Sequence, residues 1–315
     1  MRRGLPPAAD EVKAIAMNAP LQGRTAVVTG AGRGIGRATA LLLAELGANV
    51  VVNDLGTSTD GVGQDAGPAA AVVREIESAG GCAVASTASV TDFAAVERLM
   101  ADAMARFGSL DILVNNAGLT VGQPIWEMDP DLFQRVSASH ATGTFNGIRC
   151  AAPHMQRRRW GRIVNLVSRA GLVGLPGVAA YAAGKGAVFA LTNVAARDLA
   201  PFGVTVNAVN PASTATRMVT QAVERGRAAG GAAAARAAKL LASLQQPEDV
   251  ARLIAALCLD DAAAITGQIF LVARDRVGLF RPLDVDQETR VDTPTVDAVS
   301  RILRGFRIHP LDTPY

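Results

Sequence analysis

The chain has few cysteines, few histidines and few aromatic residues for its 315 positions. Its three cysteines, Cys82, Cys150 and Cys258, lie far apart, and no two of them form a C-x-x-C pair. Disulfide frameworks and zinc clusters need several such side chains at short spacings, so the sequence predicts neither of them. We expect no metal site, and a reducing compartment suits these thiols.

The sequence also lacks the apolar run of about 18 residues that a membrane span requires. Residues 1–20 begin with a basic segment but contain no apolar core of the kind found in secretory signals. The chain ends in Thr-Pro-Tyr, which differs from the peroxisomal address Ser-Lys-Leu. We therefore expect a cytoplasmic protein with no membrane partner.

Charge of neither sign is concentrated in the sequence. The 31 basic and 28 acidic side chains give a formal net charge of +3, and the densest basic run is confined to residues 157–160. Proteins that bind nucleic acids usually carry a clustered basic surface. We expect a solvated helix end at this run and no nucleic-acid partner.

Short apolar runs alternate with longer amphipathic segments along most of the chain. Uninterrupted apolar runs are typical of buried parallel strands, and alternating helices cover both faces of such a sheet. The sequence thus predicts an α/β fold with a doubly wound parallel sheet of seven strands. The predicted strands are Thr25–Val28, Asn49–Val52, Cys82–Ser86, Ile112–Val114, Ile163–Leu166, Val204–Ala208 and Ile269–Val272. The predicted helices are Gly36–Leu46, Pro68–Ala79 and about 92–107, 131–156, 181–200 and 247–259.

The pattern predicts a single domain, residues 21–275, which follows a loose tail at residues 1–20. Within it, residues 214–245 include an Ala/Arg/Gly-rich stretch that we interpret as a mobile helical lid over the substrate. From residue 276 the pattern is lost, and proline, aspartate and arginine become frequent. We expect residues 276–315 to form a C-terminal extension that packs on a surface or on a partner subunit.

A glycine-rich segment joins the first predicted strand to the first predicted helix. Glycines remove side chains where backbone must approach a pyrophosphate, and the helix N-terminus presents amides and a positive dipole end to phosphates. An ordinary strand–helix turn is the alternative, but an acid 18 residues further on favours a dinucleotide. The cofactor-binding residues predicted here are Gly30, Gly32, Arg33, Gly34, Ile35 and Gly36.

That acid is Asp54, at the end of the second predicted strand. A carboxylate there can accept both ribose hydroxyls of NAD, and it would repel the extra phosphate of NADP. Arg33 argues mildly for NADP, because a guanidinium in the glycine loop could meet that phosphate. The sequence predicts NAD, with NADP as the less favoured cofactor. A loop-capping aspartate is the alternative interpretation of Asp54.

Asn116, Ala117 and Gly118 follow the fourth predicted strand. A side-chain amide there can tie strand ends together, and Ala-Gly leaves room for a flat ring or a ribose. These three residues are therefore predicted to contact the cofactor. A structural Asx turn is the alternative.

Tyr181 and Lys185 lie one helical turn apart, which places a phenol and an ammonium on one helix face. A neighbouring cation favours the phenolate and lowers the tyrosine pKa from about 10, which would help the phenol to move a proton. Ser168 ends a predicted strand 13 residues earlier, and its hydroxyl could donate to the same substrate oxygen. A surface helix pair is the alternative interpretation of an isolated Tyr-x-x-x-Lys.

TGAGRGIG, NNAG, Ser168 and YAAGK together resemble the short-chain dehydrogenase/reductase family in order and spacing, over about residues 22–275. The resemblance implies a Rossmann-type fold and hydride transfer to or from a nicotinamide cofactor. It also implies that Tyr181 is the acid/base, that Ser168 positions the carbonyl or alcohol, and that Lys185 lowers the tyrosine pKa and holds the nicotinamide ribose. The segment Val-Asn-Asp-Leu-Gly looks most similar to one subgroup, the hydroxyacyl-CoA dehydrogenase part of peroxisomal multifunctional enzyme type 2 and its bacterial relatives.

The chain departs from this family pattern at several positions. His140 stands where most members have an asparagine that anchors a water in a proton relay; a ring nitrogen could fill that role, and a helix-packing histidine is the alternative. The adenine-contacting aspartate of the third strand is missing, and Val90 ends the segment in its place. Pro211 is followed by alanine instead of glycine, while Thr214 could still bind the nicotinamide carboxamide.

The sequence is compatible with two functions of different classes. The first is an NAD(H)-dependent oxidoreductase that interconverts a secondary alcohol and a ketone, with a hydroxyacyl thioester or a steroid- or terpene-like alcohol as substrate. The second is a non-catalytic NAD-binding sensor or scaffold on the same fold. An enoyl reductase would have a longer tyrosine–lysine spacing. The family resemblance also implies a homo-oligomer, either a tetramer or a dimer.

Overall fold

The structure is a computed structural model that describes residues 19–58, 61–281, 288 and 296–306. Eight strands form one sheet. They are β1 (Thr25–Thr29), β2 (Asn49–Asn53), β3 (Ala83–Ser86), β4 (Ile112–Asn115), β5 (Gly161–Leu166), β6 (Val204–Pro211), β7 (Ile269–Ala273) and β8 (Arg276–Leu279).

Ten α-helices lie in the described ranges. They are α1 (Gly34–Glu45), α2 (Gly67–Ser78), α3 (Phe93–Phe107), α4 (Pro130–Arg158), α5 (Ala170–Val173), α6 (Ala179–Leu199), α7 (Arg217–Ala229), α8 (Gly231–Ser243), α9 (Pro247–Cys258) and α10 (Val296–Gly305). Single 3-10 turns follow α6 and α9. Within these ranges, no helix is both long and apolar enough to cross a bilayer.

The strand order is β3-β2-β1-β4-β5-β6-β7-β8, and every pair except the last is parallel. The seven parallel strands predicted from the sequence are confirmed, as is the doubly wound α/β fold class. The structure adds β8, which pairs antiparallel with β7 through a turn at Arg274 (φ 55°). Val277 and Leu279 of β8 are mostly exposed, so this edge strand lacks the buried apolar run by which the others were recognised.

Two apolar layers cover the two faces of the sheet. On one face, α1, α2 and α9 pack side chains such as Leu43, Ile76 and Ile254 against the strands. On the other face, α3, α4 and α6 contribute side chains such as Met100 and Met155. Full burial of each such side chain stabilises the fold by roughly 1.5–3 kcal/mol. The central parallel strands are therefore covered on both faces, and their ends are available to a ligand.

The direction in which strands are added reverses at β1, because β2 and β3 lie on one side of it and β4 to β7 on the other. In open α/β sheets, ligands bind at the carboxyl ends of the strands where this reversal occurs. The glycine-rich turn after β1 and the asparagine-containing turn after β4 both lie at that point.

The predicted lid consists of two helices, α7 and α8, which are separated by Gly230 (φ 72°) and Gly231 (φ 54°). The chain segments before α7 and after α8 come together at Gln245, whose side chain is only 1% exposed. The Gln245 amide donates to Ala212 O (3.2 Å) and Val272 O (3.1 Å), and its oxygen accepts from Arg274 N (2.7 Å). We call this set of contacts the Gln245 clasp.

The chain separates into two compact units, Met1–Leu279 and Phe280–Tyr315. The first unit contains the whole sheet, so β8 belongs to it although the predicted extension starts at residue 276. In the second unit, α10 is the helix that the structure describes. Most of the predicted N-terminal tail and much of the predicted C-terminal extension lie outside the described residues. The division into tail, domain, lid and extension stays a prediction.

Candidate active site

A cleft of about 930 Å³ opens at the carboxyl ends of the strands, large enough for a dinucleotide together with part of a substrate. It extends from the turn after β2 to the start of α6. The site residues predicted from the sequence that line it are Gly30, Arg33, Gly34, Ile35, Asp54, Val90, Asn116, Ala117, Gly118, His140, Ser168, Tyr181, Lys185, Pro211 and Thr214.

Gly32 and Gly36, also predicted as cofactor-binding, lie behind this lining, and each permits a close approach. A Cβ at Gly36 would overlap the carbonyl oxygen of Gly30, so glycine is needed for α1 to pack against the end of β1. A Cβ at Gly32 would lie 2.8 Å from Oδ2 of Asp54. The turn therefore holds bare backbone beside the N-terminus of α1, which is the arrangement that a dinucleotide diphosphate requires.

Asn116 ties the end of β4 to the glycine turn. Its side-chain amide donates to Thr29 O and to Gly30 O, both at 2.9 Å. The backbone amides of Asn116 and Ala117 both donate to Oγ1 of Thr29 at 3.1 Å. The asparagine thus fixes the two strand ends on which the coenzyme would lie, which is the structural role anticipated for it.

Asp54 caps the loops on both sides of it. Its Oδ2 accepts from Gly32 N and its Oδ1 from Gly56 N, each at 2.8 Å. The loop-capping interpretation is therefore correct for this residue. It does not exclude ribose binding, because each carboxylate oxygen has a second lone pair and Asp54 lines the cleft.

Ser168 and Tyr181 meet at the other end of the cleft. Ser168 follows β5, and Tyr181 lies in the first turn of α6. The Ser168 hydroxyl lies close enough to the phenol to lower the pKa of Tyr181. Burial has the larger, opposite effect, so the pKa of the phenol is raised above its usual value. The predicted lowering of the tyrosine pKa is therefore not what the structure shows.

Lys185 is buried beneath Tyr181, with its Nζ 5.8 Å from the centre of the phenol ring. The ammonium donates to Leu166 O at 2.6 Å, so it is held by the end of β5. Burial lowers the lysine pKa from 10.5 to about 7. At neutral pH part of the lysine population is therefore uncharged.

His140 lies at the back of the cleft with 2% of its surface exposed. Its Nε2 is 2.7 Å from Leu119 O, and its ring meets the Tyr181 ring edge-on at 5.1 Å between centres. Burial, and then the Lys185 charge, lower the histidine pKa well below 6.5. The ring is therefore neutral and must carry its proton on Nε2, because a carbonyl oxygen can only accept. Nδ1 is buried without a partner among the described residues.

The remaining predicted contacts lie along the cleft wall. Val90 is held by Asn146, whose amide donates to Val90 O at 2.9 Å. Pro211 ends β6 and lines the cleft. Thr214 donates to Ala212 O at 2.8 Å, so its hydroxyl hydrogen is already bonded to backbone. Its oxygen already accepts from Gln245 Nε2 at 3.1 Å, so a carboxamide would meet the remaining lone pair.

Two parts of the cleft were not identified from the sequence. One is an apolar wall near Ser168 and Tyr181, which suits the body of a substrate. The other is Arg217, the first residue of α7. It is a basic residue directly after the Ser213–Thr216 segment, and that position in the sequence could have indicated that it lies in the cleft. The apolar wall residues are Leu175, Val178, Val219, Ala222 and Leu240.

Candidate metal ligands are absent from the described ranges, where no group of three or more His, Cys, Asp or Glu side chains converges. Cys82, Cys150 and Cys258 are free thiols.

Comparisons with known proteins agree with this geometry. Residues 24–227 match the family model for short chain dehydrogenase. A 3-oxoacyl-(acyl-carrier-protein) reductase FabG of Staphylococcus aureus is 40% identical over 245 residues, which are 78% of this chain and 94% of the relative. Hydroxyacyl-CoA dehydrogenase ChsB1 of Mycobacterium tuberculosis is 37% identical over 287 residues, 88% of this chain and 86% of the relative.

A crystal structure of a short chain dehydrogenase from Mycobacterium avium has the same fold. It superposes with a TM-score of 0.75 at 33% identity and covers 92% of this chain and 97% of its own. The resemblance read from the motifs is therefore confirmed, including the similarity to hydroxyacyl dehydrogenases. The chain belongs to the short-chain dehydrogenase/reductase family and is an oxidoreductase that acts on CH–OH groups.

Proposed function

We propose that the protein interconverts a secondary alcohol and a ketone with NAD(H), and that Tyr181 is the catalytic acid/base. The observation that carries the proposal is that Ser168, Tyr181 and Lys185 line the same cleft, which begins at the glycine turn. When bound, the nicotinamide coenzyme supplies or accepts the hydride. The chain's own residues hold the substrate oxygen and move its proton.

Ketone reduction suits the protonation state of the phenol. Because burial raises the pKa of Tyr181, the phenol keeps its proton at neutral pH and can donate it to the oxygen that gains negative charge. The Ser168 hydroxyl donates a hydrogen bond to the same oxygen and fixes its position. In alcohol oxidation Tyr181 must act as the base, and protonation of Lys185 would then stabilise the phenolate.

NAD is the proposed coenzyme because of Asp54. Its carboxylate lies at the ribose end of the cleft with lone pairs available for two hydroxyls, and a 2′-phosphate would meet its negative charge. Arg33 lines the same end and would favour that phosphate. We assign the larger effect to Asp54, since its position is fixed by two backbone hydrogen bonds.

A hydroxyacyl thioester is the proposed substrate class. Two similar proteins act, by their names, on a 3-oxoacyl group carried by a protein and on a hydroxyacyl-CoA. Leu175, Val178 and Leu240 offer an apolar wall beside Ser168 and Tyr181, which suits an acyl chain. The same wall would also accept a steroid- or terpene-like alcohol, so both classes belong in a substrate screen.

The test is a screen of 3-hydroxyacyl thioesters and apolar secondary alcohols, followed by NADH absorbance with NADPH in parallel. Tyr181→Phe keeps the aromatic ring that packs against His140 and removes only the hydroxyl. It should lower kcat/KM by roughly 10²–10⁴-fold and leave NADH affinity unchanged. Tight NADH binding without turnover of any alcohol or ketone would instead support a sensor or scaffold.

We also propose that the protein is a homo-oligomer, either a dimer or a tetramer. Phe145 of α4 and Val194 of α6 are 48% and 57% exposed, on two helices that pack together. Large apolar side chains exposed on adjacent helices are typical of subunit contacts. Light scattering coupled to gel filtration would test this. The expected cytoplasmic location stays a prediction.

A further inference from the structure

Arg217 connects the lid to the opposite side of the cleft. It is the first residue of α7, and its guanidinium donates to Thr57 O at 2.9 Å. Thr57 belongs to the loop that follows β2 and Asp54, so the contact joins segments 160 residues apart. The side chain lines the cleft between these two segments.

The backbone at this point lies against the glycine turn. The methyl group of Thr216, which precedes Arg217, is 3.0 Å from where a Cβ of Gly34 would be. Gly34 begins α1, whose N-terminus faces the position of a coenzyme diphosphate. The guanidinium of Arg217 therefore extends from the diphosphate position toward the ribose loop.

The Arg217 side chain is exposed to solvent and lies near a second cation, Arg33. A cation at a helix N-terminus opposes the helix dipole, and the first turn of α7 contains no acidic residue. Partial burial lowers the pKa of Arg217, and the neighbouring Arg33 lowers it further. Two guanidinium groups thus share one side of the cleft, which is a common arrangement around a phosphate.

Asp54 does not neutralise this pair of cations. It raises the pKa of Arg217, so it is near enough to attract it, but its two oxygens accept hydrogen bonds from Gly32 N and Gly56 N. In the described part of the chain, no carboxylate lies within 4.0 Å of the Arg217 guanidinium. Positive charge is thus left facing the coenzyme side of the cleft.

We propose that Arg217 binds a phosphate group of the coenzyme and, through Thr57, holds the lid helix over it. The inference rests on the proposed function, because it assumes that a nicotinamide dinucleotide occupies the cleft. The phosphate belongs to the diphosphate bridge or to the ribose 2′ position, and coenzymes with and without the latter distinguish the two. Arg217 is a binding and positioning residue and does not touch the reacting carbonyl.

The experiment measures the dissociation constants of NADH and NADPH by fluorescence titration, without substrate, for the wild type and Arg217→Gln. Arg227→Gln is the matched control, because Arg227 lies in the last turn of the same helix, outside the cleft. Loss of a charged phosphate contact should weaken binding roughly tenfold. Equal losses for both coenzymes assign the diphosphate, and a larger loss for NADPH assigns the 2′-phosphate.

A second readout follows the lid itself. Trypsin cleavage within α7 and α8 should be slowed by saturating NADH in the wild type and slowed less in Arg217→Gln. Affinities within twofold of the wild type for both coenzymes, or equal losses in Arg227→Gln, would overturn the role of Arg217 alone. A wild type that binds neither coenzyme would overturn the proposed function as well.

Discussion

The two ends of the cleft differ in the environment of their polar side chains. At the coenzyme end, Asp54 and Asn116 are held in place by hydrogen bonds to backbone groups of the neighbouring turns. At the catalytic end, Lys185 and His140 are buried, Tyr181 is partly buried, and the pKa values of all three are displaced from the usual ones. One end is held in shape by satisfied hydrogen bonds, and the other retains groups whose charged forms are destabilised.

This difference predicts which properties a substitution should change at each end of the cleft. A change at the coenzyme end should alter geometry and affinity, because each polar group there supports a turn. A change at the catalytic end should alter proton transfer, and it can even stabilise the fold, since buried ionisable groups reduce stability. Four substitutions test this contrast, and they follow in order of the expected free-energy change in folding or in coenzyme binding.

Gly118→Ala should cause the largest loss, at the point where the two ends join. A Cβ at this position would overlap the His140 ring. Overpacking of this kind typically costs 1–3 kcal/mol, and we expect about 3 kcal/mol in urea unfolding because the ring is held by Leu119. Gly122→Ala is the control, since its Cβ would meet only Gly177 O at 3.5 Å. An equal loss in both variants would contradict the steric explanation.

Asp54→Asn should change coenzyme choice with little change in stability. Removing the negative charge weakens ribose binding and relieves repulsion of a 2′-phosphate, so the NADH-to-NADPH affinity ratio should fall about tenfold. Fluorescence titration with both coenzymes measures the ratio. Asp65→Asn, in the same loop, is the control, because Asp65 only caps Gly67 N. An unchanged ratio would remove the argument for NAD.

Lys185→Met should abolish turnover and stabilise the fold by about 1 kcal/mol. The pKa of Lys185 is about 7 in the folded protein and 10.5 in an exposed chain, so at neutral pH the unfolded state binds more protons. The loss of folding stability caused by the buried wild-type lysine is complete below pH 7, and it decreases as the pH rises toward 10.5. Urea unfolding at about pH 6 and about pH 10 should therefore show a gain only at the lower pH. A gain of equal size at both values would contradict the assigned pKa.

His140→Asn should have the smallest effect, less than about threefold on kcat/KM. An asparagine amide can still donate to Leu119 O, and the neutral ring contributes no charge to be lost. The pH profile of kcat/KM should also lack a histidine ionisation in both proteins. His140→Leu, which leaves Leu119 O unpaired, should lose more activity. Equal losses in both variants would mean that the ring itself takes part in proton transfer.

The sequence was informative wherever a signal is local. The glycine turn, the strand runs and the four-residue spacing of Tyr181 and Lys185 depend on neighbours along the chain, and the structure brings them to one cleft. The composition of residues 214–245 predicted a helical segment there, and its division into two helices at Gly230 and Gly231 was not predicted.

The features that the sequence did not predict depend on contacts between residues that are far apart in the chain. The pKa of Tyr181 is raised because the fold buries it, and burial cannot be counted from a four-residue spacing. β8 has exposed apolar side chains and exists because it pairs with β7. The contact between Arg217 and Thr57 joins residues that are 160 positions apart in the sequence. Each of these features follows from packing that single segments do not encode.

The Gln245 clasp has a consequence for how such a cleft can diversify. It links the chain segments that lead into α7 and out of α8 to the ends of β6 and β7. Residues 217–243 therefore form a long loop whose two ends are fixed on a common base. Closing a longer loop across a fixed base adds little entropic cost. A lid of another length or chemistry could therefore be grafted onto this base after Arg217, and the enzyme would meet a new substrate while its coenzyme contacts stay unchanged.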